Sequence, residues 1–455
     1  MTNGLRDESD SAHRYAVSLL ARLGLAEGHL KRRDPGLHPA IGWARSGAMA
    51  LTGRRDGPAR LCPTPLGACA DGALQALEAV GERPFPPPLS GSRLLTERAA
   101  IAGLTRNGTI SSGGSCHLLQ TRDGWIAVNL ARTDDWGTVP AWLEADTEPD
   151  WTEVAAAVRT RNAGGLLDQG RLLGLAIAVM NEPAADRGPW QIARSSNAPA
   201  VRRRDRPLVL DLTALWAGPL CCHLLQSQGA RVIKVENTHR PDGARHGPAQ
   251  FYDLLNAGKD SIALDFRSAN GLEQLRRLIA AADIVVESSR PRALRQLGIE
   301  AEEMVASVPG LIWVGITGYG RDEPEADWIA FGDDAGVAAG LSSLVAEPDG
   351  TPNFCADAIA DPLTGLHAAL AAWHCWRSGT GGLVSVSLRD VTAHCVNFDR
   401  PANAAAMQRR RLAWQEILET HGATVAAPTA RIPAGAARPL GADTATVLSE
   451  LGIRC

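Results

Sequence analysis

Apolar runs alternate with helical patterns from Pro207 to Thr317, and this alternation constrains the fold most. The predicted strands are 208–212, 230–235, 261–265, 283–287 and 311–317, with predicted helices at 219–228, 271–281 and 302–307. Strands and helices at this pitch predict an α/β fold with a doubly wound, mostly parallel sheet. Ligands bind such sheets at the carboxyl ends of the strands, so we expect the functional site there. No G-x-G-x-x-G follows the first strand, so the usual dinucleotide fingerprint is absent.

Composition narrows the class of protein. The 455 residues, 45% of them apolar, suffice for two or three domains with a large core. A net charge of −4 gives no support to a nucleic-acid or membrane-surface partner, and no run approaches the roughly 18 apolar residues of a membrane span. The first ten residues carry acids and no apolar core, which predicts no signal peptide. Nine cysteines without a C-x-x-C pair favour a reduced, cytoplasmic setting.

Two segments of the chain resemble each other. Residues 42–74 and 336–366 both contain a small-residue helix, an acidic glycine turn, an extended piece and a helix start. Asp361 opens the helix in the second copy, and Ala68 fills that position in the first. Asp71 lies about one helical turn further on and does not replace it. The repeat predicts that the first copy has lost a carboxylate.

The motifs of the second half are ordered and continuous. They are 210–213 leading to 217–219, 229–236, 256–265, 283–287 with 290–291, 316–320, and 380–388. This series resembles the family III CoA transferases, the CaiB/BaiF family, which implies a Rossmann-like large domain. The chain has only three lysines, and two of them, Lys234 and Lys259, fall inside these motifs.

The rest of the chain resembles the same family in a permuted order. Residues 1–95 are similar to a degenerate copy of the catalytic segment, and 100–190 to its smaller α+β domain. Residues 207–400 are then the Rossmann-like, CoA-binding and catalytic domain, and 425–455 a C-terminal segment that returns to it. The chain thus resembles a tandem pair without the first sheet half and the second small domain.

The resemblance implies that Asp361 is the catalytic nucleophile. A carboxylate attacks an acyl-CoA, which gives an acid anhydride and later a thioester on the enzyme. Pro362 behind Asp361 supports a helix start, where a carboxylate is favoured. Local sequence alone favours a simple N-cap aspartate, and the resemblance reverses that preference. The adjacent Asp333 and Asp334 are interpreted as a solvated or coupled acidic pair. We expect CoA as a substrate, no permanently bound cofactor and no metal, because the histidines are scattered.

The family's CoA contacts are transferred position by position. They fall on Leu215, Ala217, Gly218, Asn237, Leu264, Ser288, Ser289, Ala293, Arg295, Gln296, Leu297 and Thr317. Asn237 and Gln296 stand where the family commonly has arginine, and Arg292 and Arg295 are nearby substitutes. Gly113 and Gly114 match a glycine-rich lid or form an ordinary turn. Trp216 either narrows the pocket or is a half-buried packing aromatic.

Two alternatives stay open. An acyl-CoA racemase or isomerase of the same fold would need a histidine near Phe331, but none lies between His246 and His367. A non-catalytic CoA-binding relic would explain the altered phosphate contacts, although Asp361 is retained. The resemblance further implies an acyl-CoA and a carboxylate as small-molecule partners, and a homodimer in which the small domain closes over the site. Whether it closes within or between chains, and which acids react, stays open.

Overall fold

The structure is a computed structural model that describes residues 10–30, 36–81, 83–85, 89–145, 150–180, 184–194 and 204–454. The signal-peptide prediction concerned the first ten residues, nine of which lie outside these ranges. The strands are β1 (Cys116–Gln120), β2 (Trp125–Asn129), β3 (Ala176–Val179), β4 (Gln191–Arg194), β5 (Leu208–Leu212), β6 (Arg231–Asn237), β7 (Asp260–Leu264), β8 (Ile284–Glu287), β9 (Ile312–Thr317) and β10 (Gly382–Ser387).

The helices lie before, between and after these strands. They are α1 (Ser11–Arg22), α2 (Pro39–Arg45), α3 (Leu66–Gly81), α4 (Gly91–Leu94), α5 (Glu97–Ala102), α6 (Thr133–Leu143), α7 (Trp151–Arg159), α8 (Ala163–Leu172), α9 (Ala217–Ser227), α10 (Ala249–Asn256), α11 (Ala269–Ala281), α12 (Pro291–Arg295), α13 (Ala301–Ser307), α14 (Gly332–Ala338), α15 (Leu341–Leu344), α16 (Ala360–Ser378), α17 (Leu388–Asn397), α18 (Ala404–Thr420) and α19 (Thr444–Glu450). Short 3-10 turns lie at Glu27–His29, Met49–Leu51, Gly243–His246 and Glu325–Asp327.

The large sheet has seven strands in the order β4-β10-β9-β8-β5-β6-β7. Every neighbouring pair is parallel except β4 with β10. Successive strand residues point to opposite faces. Val209 therefore packs into the core shared with α9 and α16, and Leu210 into the core shared with α11 and α13. Both faces are covered, which is why the strands read as unbroken apolar runs, and the predicted doubly wound α/β fold is confirmed.

Helix α16 runs through the larger core and is buried over most of its length. Gly365 lets α9 approach closely, because an added Cβ would lie 2.7 Å from the Ala217 carbonyl oxygen. Gly72, the matching residue of the repeat, does the same for α3 and α1, since a Cβ there would lie 2.4 Å from the Ala12 carbonyl oxygen. Helices α3 and α16 also pack on each other. The two copies of the repeat are therefore paired helices with equivalent close contacts.

The small sheet is antiparallel, in the order β1-β2-β3, and is covered by α6, α7 and α8 around a core of its own. Its other face packs against α14 through Cys116, Ala127 and Val337. At the far end of the chain, the backbone N–H of Ser261 on β7 donates to the Asp443 carboxylate at 2.9 Å, which places α19 beside the edge strand. Among the described residues, no helix is long and apolar enough to cross a membrane.

Candidate active site

Asp361 is half-buried in the first turn of α16, where three helix starts meet. The backbone N–H of Ala217, the first residue of α9, donates to its carboxylate. At Gly332, the first residue of α14, an added Cβ would lie 2.2 Å from Asp361 Oδ2. Asp361 does not cap its own helix, because the N-cap is Ile359 and no side chain caps that end. The N-cap interpretation is therefore wrong, and the dipole that stabilises the carboxylate belongs to α9.

Arg98 from α5 is the cation that faces this site. Its Nε and Nη2 donate to Oδ2 and Oδ1 of the buried Asp357 at 2.9 and 2.5 Å. Its guanidinium carbon lies 5.5 Å from the ring centroid of Trp216. Sequence reasoning missed both Arg98 and Asp357, since no local pattern links α5 to a turn far along the chain. Only the packing of the N-terminal segment on the sheet domain brings them together.

Two further carboxyl groups lie in the first turn of α14, the helix that begins next to Asp361. Asp333 accepts the backbone N–H of Ala358 at 2.9 Å, and Asp334 accepts the Asn129 amide at 2.9 Å. Asp334 is fully buried and Asp333 nearly so, which makes the interpretation as a solvated pair wrong. Burial raises the pKa of Asp333 to about 6, and the Asp357 charge adds to that rise. The coupled interpretation agrees with this shared electrostatic environment.

Burial also dominates the titration of the other two groups. It raises the pKa of Asp334 to about 7, against the hydrogen bond from Asn129. It raises the pKa of Asp361 to about 7, against the opposite charge of Arg98 and the N–H of Ala217, while Asp333 adds to the rise. A carboxyl group poised near neutral pH with one specific cation beside it is typical of functional sites.

The small unit, which comprises β1–β3, α6–α8 and the loop before β1, meets this site within the same chain. Asn129 lies on β2, and the hydroxyl of Ser112 reaches the Ala356 carbonyl oxygen at 3.5 Å. An added Cβ on Gly113 would lie 3.6 Å from Arg98 Nη2, and Gly114 has a φ of +83°, a backbone conformation that favours glycine. The two glycines predicted as a lid therefore lie beside Arg98, and their motion as a lid stays a prediction.

The residues predicted to contact CoA come from several strand ends at one edge of the sheet. Asn237 and Leu264 are direct partners at the ends of β6 and β7. The Ser288 hydroxyl accepts the Ala214 N–H at 3.2 Å, which links the loops after β8 and β5. Leu215 is 42% exposed there, in a left-handed conformation with φ +68°. The parallel topology thus brings these positions together.

The remaining predicted CoA contacts lie around α9 and α12 and at the end of β9. Ala217 and Gly218 begin α9, and Ser289 donates to Glu287 at 3.2 Å. Thr317 ends β9 and accepts the N–H of Gly320. The other four are Ala293 and Arg295 on α12 and Gln296 and Leu297 directly after it. Arg295 is exposed, and its Nη2 is 3.8 Å from Glu302 Oε1.

Two buried lysines hold the loop that carries Ala217. Lys259 Nζ lies 2.8 Å from Asp211 Oδ2 and also donates to the Pro219 carbonyl at 3.1 Å. Lys234 Nζ donates to the Thr213 carbonyl at 2.9 Å. Both lysines are 2% exposed. Although burial opposes the effect, the two lysines lower the pKa of Asp211, so the ionised network is the stable form. The lysine contacts with the Thr213 and Pro219 carbonyls hold the loop in place.

Four arginines, two of them at the start of α12, lie close enough near the carboxyl ends of the strands for their charges to interact. Burial lowers the pKa of Arg290, and the charges of Arg292, Arg132 and Arg240 lower it further. Asp327 opposes them: its Oδ1 is 3.4 Å from Arg292 Nε, and its carbonyl accepts from Arg290 at 3.4 Å. An excess of guanidinium groups favours a phosphate. Sequence reasoning missed Arg132 and Arg240, and it quoted Arg290 within a motif without assigning it a role.

Trp216 is a packing aromatic, as one of the two expectations had it, but it is buried more deeply than expected. It is 3% exposed and packs edge-on against Phe251, with ring centroids 5.4 Å apart, so it is neither half-buried nor open to a pocket. The Trp216 ring also packs against the Arg98 guanidinium. In the part of the chain that the structure describes, no group of three or more His, Cys, Asp or Glu side chains is arranged to hold a metal ion.

Comparison with known proteins gives consistent matches. The family model described as CoA-transferase family III matches residues 207–427. Succinate–glutarate CoA-transferase of Agrobacterium fabrum is 34% identical over 200 residues, 40% of this chain and 50% of that protein. Formyl-CoA:oxalate CoA-transferase of Escherichia coli is 34% identical over 193 residues, 40% of this chain and 46% of that protein. The chain spans about half the length of the curated relatives it matches.

A solved structure of a CAIB/BAIF family protein from Brucella suis is 30% identical, covering 49% of this chain and 58% of that chain with a TM-score of 0.40. The segment matched by the family model begins at β5 and includes Asp361, Lys259 and the arginines that follow β6 and β8. Residues 207–427 of the chain are therefore similar to CoA-transferase family III.

Proposed function

We propose that this protein is a CoA transferase that moves CoA from an acyl-CoA to a carboxylic acid through a covalent intermediate on Asp361. One observation carries the proposal: the Asp361 carboxylate lies where the first N–H of α9, the cation of Arg98 and the carboxyl edge of the sheet meet. The curated relatives carry CoA-transferase names, which supports the same chemistry. CoA is a substrate in this proposal, and no other cofactor takes part.

The proposed reaction transfers CoA through covalent intermediates on Asp361. The Asp361 carboxylate attacks the thioester carbonyl, the C–S bond breaks, and CoA leaves as a thiolate. The thiolate then attacks the aspartyl carbonyl of the anhydride, which releases the donor acid and leaves an aspartyl thioester. The acceptor carboxylate attacks that thioester and again frees the thiolate, which takes the new acyl group and restores Asp361. The Ala217 N–H points at the oxygens on which charge changes in every step.

CoA is proposed to lie along the carboxyl ends of β5, β6 and β8, with its nucleotide near Asn237, Ser288 and Arg295. The positive charge that the family's usual arginines would supply is here proposed to come from Arg290 and its arginine neighbours. Burial and like charges depress the pKa of Arg290, so an anion there gains more than at an isolated arginine. Arg132 belongs to the small unit, so phosphate binding would also hold that unit against the sheet.

Replacing Arg290 with Gln is expected to raise the KM for CoA about tenfold, equivalent to about 1.4 kcal/mol, with little change in kcat. The reason is that the guanidinium binds a part of CoA that does not react. Steady-state kinetics at two salt concentrations measure the effect. Arg277→Gln is the matched control, because Arg277 is exposed on α11 and pairs with Glu273. An unchanged KM in Arg290→Gln would refute this placement of the phosphates.

A panel of acyl-CoA donors and carboxylate acceptors, read by mass spectrometry, tests the proposed function. We expect a new acyl-CoA to form only when both a donor and an acceptor are present. Deuterium exchange at the α-carbon without transfer would indicate a racemase or isomerase. CoA binding without any turnover across the panel would indicate a binding relic. Either result would overturn the proposal.

The expected homodimer stays a prediction, which light scattering at working concentration checks. A strictly monomeric protein with full activity would contradict it.

The contacts of Asn129 and Ser112 with the catalytic segment are within one chain, so we propose that the small unit closes its own site. The cytoplasmic setting also stays a prediction, and the eight described cysteines, all buried free thiols, are compatible with it.

A further inference from the structure

The N-terminal segment, outside the part that matches the family model, reaches the catalytic residues through α5. Glu97 and Arg98, two adjacent residues of α5, form ion pairs with different parts of the chain. Glu97, only 1% exposed, pairs with both sides of the Arg431 guanidinium at 2.6 and 2.9 Å. Arg98 turns the other way and holds Asp357 with two hydrogen bonds. The backbone of α5 is therefore anchored, through Arg431, to the C-terminal segment (residues 425–455) at the point where it presents Arg98.

The charges of three carboxylates act on Arg98. Asp357 precedes α16, Asp333 lies on α14, and Asp361 lies on α16 itself, and the charges of all three act on Arg98. Trp216 lies against one face of the guanidinium, and Gly113 of the small unit lies near Nη2. The charged groups that act on Asp361 are Arg98, Asp333 and Asp357, and the N–H of Ala217 donates to it from α9. One cation thus serves three carboxyl groups.

We propose that Arg98 is a positioning residue for the reaction of Asp361, so that the N-terminal segment, which lacks a carboxylate of its own at Ala68, completes the active site. This inference rests on the proposed function. Arg98 acts in two ways. It fixes the turn that leads from Asp357 into α16, and it supplies the positive charge against which Asp361 ionises.

Arg98 is suited to both tasks because a guanidinium binds a carboxylate with two parallel hydrogen bonds and keeps its charge at every working pH. Without it, Asp333 and Asp361 would lose the positive charge that lowers their pKa values, and each would hold its proton more tightly. Asp361 would then be protonated at neutral pH and unable to attack a thioester. A lysine would keep the charge but lose the two-point contact with Asp357, so it should rescue only part of the effect.

The test follows the titration of Asp361 directly, by carbon NMR of protein labelled at the aspartate carboxyl groups. Asp361→Asn assigns the signal. We expect a midpoint near neutral pH in the wild type, a midpoint at least about one pH unit higher in Arg98→Gln, and an intermediate value in Arg98→Lys. Arg93→Gln is the matched control, because Arg93 is exposed on the preceding helix α4. In this variant Asp361 should titrate as it does in the wild type.

Kinetics give the second measurement. In Arg98→Gln, kcat at pH 7 should fall at least about fivefold and recover as the pH is raised, because the ionised fraction of Asp361 is restored. A merely structural role would lower kcat equally at all pH values and leave the titration unmoved, and that result would overturn the inference. Thermal melting confirms that each variant is folded. If Arg98→Gln does not fold, Arg98→Lys decides, and a midpoint equal to that of the wild type refutes the inference.

The two proposals fail differently. If no protein of the series transfers CoA, the proposed function is wrong, yet the NMR titration still reports whether Arg98 controls Asp361. If the wild type transfers CoA and the titration is the same with and without Arg98, only this inference is wrong.

Discussion

Replacing Asp361 with Ala should lower CoA transfer by more than about a hundredfold, a loss of at least about 2.7 kcal/mol in transition-state stabilisation. The methyl group of alanine cannot attack a thioester, so the covalent path is closed. CoA should still bind, because the proposed contacts at the strand ends do not involve Asp361. Transfer is measured with the donor and acceptor pair found in the panel, and CoA binding by calorimetry.

Three controls separate chemistry from folding. Asp361→Asn keeps the shape of the side chain and should be as inactive as Asp361→Ala. Asp71→Asn alters the nearest acid of the matching helix α3, whose carboxylate accepts the Ser92 N–H at 2.9 Å, and should retain most activity. Hydroxylamine added during turnover should leave a modified Asp361 in peptide mass spectra. Turnover in Asp361→Ala above about a hundredth of the wild-type value would end the case for covalent catalysis at this residue.

The same residue predicts a pH dependence. With a pKa of about 7, Asp361 is fully ionised only in alkaline solution, so kcat should rise as the pH rises through 7. Burial raises this pKa from its ordinary value of 3.8, so the folded protein binds the proton more tightly than the unfolded chain does. The stability that this group contributes is full below about pH 4 and is lost as the pH rises through 7. Asp361→Asn should therefore melt at a higher temperature than the wild type at pH 8, with a smaller difference at pH 5.

Replacing Lys259 with Met should lower the free energy of unfolding by about 3–5 kcal/mol. Lys259 is 2% exposed and pairs with the fully buried Asp211 at 2.8 Å, so its loss removes the nearest positive charge from a carboxylate that cannot reach water. Lys234 still acts on Asp211 and keeps the loss within this range. The loop that carries Ala217 would lose the contact of Lys259 with the Pro219 carbonyl, so transfer should fall as well.

Urea unfolding followed by circular dichroism measures this effect. Arg277→Met is the control, because the Arg277–Glu273 pair on α11 is about half exposed and should contribute less than about 1 kcal/mol. Equal losses in the two variants would contradict the assignment of Lys259 as a buried structural cation. Lys259→Arg tests size at the same place, since a guanidinium must fit where one ammonium group has three partners.

The elements of the sheet domain could be predicted because their signals are local. Residues 208–212 are apolar at every position but one, which identifies a strand buried on both faces, and the strand is Leu208–Leu212. Predicted strand 230–235 continues to Asn237, since the polar residues Glu236 and Asn237 still pair with β7 after the apolar run has ended. Asp361 was predicted from a motif and a repeat, both of which are also readable along the chain.

Side chains that act together across the fold could not be predicted in this way. Arg98, Asp357 and Asp333 carry no common pattern, and only the packing of α5 and α14 against the start of α16 places them beside Asp361. The interpretation of Asp333 and Asp334 as solvated failed for the same reason: two adjacent acids are ordinarily exposed, and their burial depends on the small unit that covers them.

By itself, the sequence determined most strands of the large sheet, several of its helices and the acid in the first turn of α16, because hydrophobic periodicity and helix-start residues act between near neighbours. The tertiary structure decided which groups surround that residue, and with them its charge. An N–H from α9 and a cation from α5 oppose the burial that raises the pKa of Asp361, and neither helix is close to it along the chain. Electrostatic interactions depend on distance in space and on exclusion of water, which the order of residues does not contain until the chain has folded.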